Sequence, residues 1–194
     1  MSLYTDIVAG VNAWTNRPLM TAEIDIGIRQ ALRAAHRAGK FPRDLVEVVA
    51  TGLSTTTVPQ VVDLAVVAPL CRQIAQVKPT GVNLAYKEVL IGDLFDLDGF
   101  YRTDVFYGLG TQLLIRPGAA YSSATITYYK HPVVSPIASI DSWIGTDHQD
   151  LIVCWAAASV LAAMGEQEIK ARVEALAGIL LQQLVADSLQ LAGA

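Results

Sequence analysis

From Leu151 to Gly165 the chain reads LIVCWAAASVLAAMG, without one charged side chain. A helix built on this stretch has no polar face to offer water, so it has to be covered on most of its sides. A bilayer is one way to cover it, but a span needs about 20 apolar residues, and this run stops short of that at Glu166. The expectation is therefore a buried helix at the heart of a helical core, whose neighbours the rest of the chain must supply.

Three further segments have the right spacing. Ser2 is placed to cap a helix reaching about Trp14, with Leu3, Ile7, Val11 and Trp14 on one stripe, before TNRP breaks it. Thr21 is placed to cap a second, with Glu23 and Asp25 in its first turn, Ile24, Ile28, Ala31, Leu32 and Ala35 as its apolar stripe, and Gly39 to end it. A last helix is predicted from about Glu166 to Leu191, with Ile169, Val173, Leu176, Leu180 and Leu184 on one face.

Between the second and third helices the hydrophobic period shifts towards two. LVEVVATGL, QVVDLAVV, CRQIAQVK, KEVLIGDL, TDVFYGLG, TQLLIRPG and SATITYYK are short runs rich in β-branched and aromatic residues, parted by turn signals such as KPTG, DLDG and RPGA. Then comes a connector from His131 to Asp150, spaced by Pro132 and Pro136. The predicted class is α+β: a discontinuous four-helix bundle, residues 1–43 and 136–194, with an antiparallel sandwich or barrel-like module, residues 44–135, inserted in it. A chain of 194 residues is long enough for one core with a smaller module, and 53% hydrophobic against 16% charged residues is far from a disordered composition.

The formal charge of −4 argues against a protein that coats nucleic acid, though not against a passage through which DNA slides. The opening MSLYTDIVAGVNAW has neither the basic start nor the cleavage site of a signal peptide, so the expected compartment is the cytosol that makes the chain. Cys71 and Cys154 lie far apart without CxxC spacing and are read as reduced thiols packed like small hydrophobes.

Motifs for chemistry are scarce. DLFDLDGF, with Asp96, Asp98 and Gly99, has part of a calcium-loop pattern, but the position six residues after the glycine is Val105, and the stretch reads as a hairpin turn. His36, His131 and His148 are scattered and match no metal-ligand spacing. Asp147, His148 and Asp150 are explained by capping at the start of the third helix. GLGTQL holds two glycines of a dinucleotide fingerprint without the third, and reads as a loop. No catalytic residue, metal or cofactor is expected, and the chain is not read as an enzyme. Arg29, Arg33 and Arg37, with His36 and Lys40 nearby, lie along the outer side of the second helix, a solvated face or a contact for an acidic partner or a neighbouring copy. Trp14, Trp143 and Trp155 are core or interface residues, and Trp143 in the connector is the one expected to bridge the modules.

The segment from Tyr128 onwards shows YYKHPVV, SIDSWI and DHQDLIVCWAAASVLAAMGEQEIKARVEAL in that order. It resembles the C-terminal half of bacteriophage head-to-tail adaptor, or connector, proteins of the neck, in which a strand ending in Tyr and Pro, a Ser/Asp/Trp connector, a helix opening on an hPDL-like turn, an alanine-rich helix and a last helix follow one another. Gln149 stands here where that turn has proline. IDIGIRQALRAAHRAGKFPRDL is similar to the opening helices of the same proteins. The resemblance implies a structural virion protein at the head–tail junction, made in the host cytoplasm: a homo-oligomeric ring of twelve copies beneath the portal protein. It would join the DNA-filled capsid to the tail, or to a terminator or nozzle protein, and pass DNA through its lumen without gripping it, with no membrane involved. It further implies that residues Ala186–Ala194, among them Asp187, Leu189 and Leu191, face the portal, and that the β module makes tail or lateral contacts. Two other readings stay open: a six-fold tail terminator or completion protein, and a small cytosolic enzyme or ligand-binding β module.

Overall fold

The computed structural model describes residues 2–94 and 101–192, with side chains through residue 188. In chain order the elements are α1 (Leu3–Thr15), α2 (Thr21–Arg37), β1 (Leu45–Thr51), β2 (Gln60–Asp63), α3 (Leu64–Val67), β3 (Cys71–Pro79), β4 (Lys87–Glu88), β5 (Val105–Leu109), β6 (Gln112–Arg116), β7 (Ser123–Lys130), α4 (Trp143–Asp147), α5 (Gln149–Met164) and α6 (Gln167–Ala192). The fold is mixed α/β, with six helices and two sheets among the described residues. The chain divides into two compact units, Met1–Arg43 with His131–Ala194, and Asp44–Lys130. The later boundary falls ahead of Pro132 and Pro136, because Val133 bridges Asp141 and Val134 belongs to the helical core.

In the helical unit α5 packs against α1, α2 and α6. Leu151, Ile152, Val153, Cys154, Ala156, Ala157, Ala158, Val160 and Leu161 are all buried, as an uncharged helix requires. Burying each of the larger side chains is worth about 1.5–3 kcal/mol. The face of α2 that meets α5 carries Ile24, Ile28, Ala31, Leu32 and Ala35. Gly27 permits this approach, since a Cβ there would stand 3.0 Å from the Ala156 carbonyl oxygen. At its far end α5 stops at Gly165, which takes φ of 78°, while its N–H and that of Glu166 are donated to the Ala162 and Leu161 carbonyls.

Several expected details differ. Met20, not Thr21, precedes the first turn of α2 and makes no side-chain cap. Gly39 is not a left-handed cap; a Cβ there would come within 2.9 Å of the Phe41 ring. Trp14 stands exposed, because Thr15 takes the buried place at the end of α1. His36 is not part of the outer basic stripe: eight residues after Ile28 it points inwards, and it is 2% exposed. On α6 the covered seam is Val173, Ala177 and Leu184, with Leu180 and Leu181 alongside, so Ile169 and Leu176 of the expected stripe face outwards. Ala177 is small enough to let the backbone close on α5, and the helix turns that way.

The second unit holds two open sheets, of orders β1-β7-β3 and β2-β6-β5-β4, with no closed barrel among the described residues. The pairs are antiparallel except β4 with β5, which run parallel. KEVLIGDL contributes only the two residues of β4, and DLAVV turns into α3 because the Asp63 carboxylate accepts the Ala65 N–H at 2.9 Å. GLGTQL is the hairpin between β5 and β6, with Leu109 opposite Gln112 and Gly110 at φ of 61°. Val77 and Ile126 of one sheet and Val62, Phe106, Leu113 and Ile115 of the other share one cluster. Leu114 points to the other face, with Tyr107 and Leu94, which explains the unbroken apolar run of β6. A nearly buried ion pair, Arg72 to Asp44 at 3.6 Å, lies at the start of this unit, with the guanidinium 5.4 Å from the Tyr129 ring centre.

Candidate functional site

The connector builds a cluster around Trp143. Ser142 caps α4 by accepting the Gly145 N–H at 3.1 Å, and its hydroxyl lies 2.9 Å from His36 Nε2. A serine beside a histidine has the makings of a nucleophile and base. Here both are sealed, at 5% and 2% exposure, and the hydroxyl is committed to the helix start. The pair works as a brace between α2 and α4.

Next along the chain, the Trp143 ring meets His36, Phe41 and His148 edge-on, with centroids 6.0, 5.4 and 6.1 Å apart. The Arg43 guanidinium lies 4.6 Å over its face and is bonded to Asp147. These contacts build Trp143 into the helical unit. Asp147 is the last residue of α4 and pairs with Arg43 instead of capping α5, whose first turn holds Asp150. The Arg43–Asp147 pair is about half exposed and is worth about 0–1 kcal/mol.

Beside this cluster is a mainly apolar cavity of about 170 Å³, walled by Phe41, Pro42, Arg43, Trp143 and His148, and by Leu184, Asp187 and Ser188 of α6. Its size suits one aromatic or branched side chain. Of the expected interface residues, Trp143 and Asp187 thus come together on one cavity. The side chains of Leu189 and Leu191 lie outside the described residues, as do Asp96, Asp98 and Gly99.

The arginines of α2 separate. Arg29 is half-buried, its Nε shielded from solvent without an acceptor among the described residues, near the hydrogen bond from the Tyr4 hydroxyl to Asp25 at 2.7 Å. That bond holds the Tyr4 phenol above its ordinary pKa. Arg33 and Arg37 are exposed, pair with no carboxylate among the described residues, and with Gln30, Ala34 and Ala38 line a shallow groove. Periodicity alone did not reveal Ile26, 52% exposed on the same face, nor Leu176 and Ile179 on α6, 38% and 55% exposed.

Elsewhere, Cys154 is buried and Cys71 half-buried, both free thiols with pKa pushed up by burial. Among the described residues no group of three or more His, Cys, Asp or Glu side chains could hold a metal ion, and no helix is long and apolar enough to cross a membrane.

The fold and these surfaces define a two-unit α/β chain whose helical unit leaves apolar and basic side chains uncovered. In comparison with known proteins, no protein-family model matches the chain, and no curated protein is significantly similar to it. The likeness to neck adaptors therefore stands on the order and type of its residues.

Proposed function

We propose that this chain is a structural subunit of a bacteriophage neck, a head-to-tail adaptor that forms a ring, of twelve copies by the resemblance, beneath the portal. In this reading α1, α2, α5 and α6 are a four-helix bundle interrupted by an inserted β sandwich. The C-terminal end of α6 meets the portal, and the sheets meet the tail or the neighbouring copies. DNA passes through the lumen of an acidic ring that does not hold it.

The observation that supports this best is the outer surface of the helical unit. Trp14, Leu19, Ile26, Leu176 and Ile179 stay exposed around a packed core, beside Arg33 and Arg37, which pair with no carboxylate among the described residues. A subunit that completes its burial against other chains has such a surface, since large apolar side chains left in water gain nothing.

The test is to mix the protein with the portal of the same genome and weigh the complex by mass photometry, with negative-stain imaging of its symmetry. A ring added at one copy per portal chain is the expected result. Indifference to the portal, with six-fold rings alone or on tail tubes, would replace this reading by a tail terminator. Absence of any assembly would remove the neck altogether.

A further inference from the structure

Two exposed stripes of the helical unit match each other in spacing, polarity and charge. On α2 the residues Ile26, Gln30, Arg33 and Arg37 follow one another at i, i+4, i+7 and i+11, which is one face of a helix. All four are exposed. On α6 the residues Leu176, Ile179, Gln183 and Asp187 follow at i, i+3, i+7 and i+11, again one face and again exposed. Each stripe is apolar at its N-terminal end and charged at its C-terminal end, and the charges are opposite. Each spans about 16 Å at the helical rise.

Neither charge is answered among the described residues. Arg33 and Arg37 pair with no carboxylate among the described residues, and Asp187 with no cation among them. From Ala175 to Ala192 Asp187 is the only charged residue, so on that half of α6 nothing else offsets it. The last turn of α6 carries no basic side chain, and its carbonyl end adds to the negative potential there. By contrast, the charges nearer the start of α6 are internally matched, Arg172 with Glu168 and Lys170 with Glu174.

We infer that α2 of one copy packs in parallel against α6 of the next copy. Ile26 sits on Leu176 and Ile179, Arg33 reaches Gln183, and Arg37 pairs with Asp187. The alternative direction would set the arginines of α2 towards the start of α6, where the charges are already matched, and would leave Asp187 opposite Ile26 with no cation to meet. Ala34 and Ala38 floor the α2 groove and let the neighbouring helix approach closely. The contact is heterologous, because each copy offers a different face to each neighbour, and so it continues into a chain or closes into a ring and does not stop at two. This deepens the ring reading by naming the lateral contact, to which it assigns Asp187 in place of the portal face, yet it stands on the two stripes and can fail separately from the portal assignment.

The experiment is sedimentation velocity of the full chain over a rising concentration series, without portal. Association beyond the dimer is expected. Arg37→Glu and Asp187→Arg should each weaken it at least tenfold with unchanged circular dichroism, and the double variant carrying both should recover most of the loss. A protein that remains monomeric throughout, that halts at a dimer, or whose double variant shows no recovery overturns the contact. Portal binding, weighed separately, keeps the two questions apart: self-association without portal binding sinks the adaptor reading alone, and portal binding by a chain that never self-associates sinks this contact alone.

Discussion

The Ser142 hydroxyl serves both the Gly145 N–H and His36 Nε2, inside a region that admits almost no water. Ser142→Ala removes a cap and takes a partner from a buried imidazole, so a loss of about 2–3 kcal/mol is expected in urea unfolding. At Tyr86 burial, aided by the Asp104 charge, pushes the phenol from its ordinary 10.0 up to about 12. The folded protein then keeps a proton that the unfolded chain gives up. Stability from this group is whole below pH 10 and is lost as pH rises through 12. Thermal midpoints should fall across that window, and Tyr86→Phe should flatten the fall; an identical slope in the variant would assign the alkaline loss elsewhere. Of such details the residue string reveals little. That Ser142 begins a helix can be read from its neighbours, but its contact with His36 joins positions 106 residues apart.

At the scale of elements, α6 shows where periodicity runs out. Apolar residues lie on more than one side of it, so stripes through Val173 and Leu184 can be drawn with Leu176 or with Ala177. Packing on α5 selects Ala177. Leu184→Ala should therefore cost about 2–4 kcal/mol through lost burial and a cavity, whereas Leu176→Ala, on the outer flank, should cost under about 1 kcal/mol. Equal losses in denaturant titrations would mean that the seam is wrongly placed. In the second unit, LAVV reads as a strand from its β-branched residues, yet one Asp63 cap makes it a helical turn. Short segments are decided by such single bonds because their propensities differ by only tenths of a kcal/mol.

For the whole molecule, the ends of the sheet unit matter most. Leu45 is the register partner of Tyr129, so chain entry and exit are neighbouring strands, about 5 Å apart. Residues 44–130, with their own shared cluster between two sheets, should fold when expressed alone, giving a β-type circular dichroism spectrum and cooperative melting. A short glycine–serine link from Arg43 to His131 should in turn leave a helical protein. A sheet fragment that stays unfolded would mean that its stability depends on the helices. What the sequence determined by itself was local: an uncharged run from Leu151 to Gly165 that only a covered helix can accommodate, amphipathic segments before and after it, and a change of period from Leu45 onwards. Those follow from hydrophobic spacing within a few turns of chain, and each residue carries its share independently of the rest. The tertiary structure alone decided that Arg43 would lie over Trp143 and meet Asp147, that His36 would turn inwards, and which flank of α6 would stay bare. Such partners lie about a hundred residues apart, and their choice belongs to the packing of the entire core, where side-chain volume and the satisfaction of buried polar groups act together.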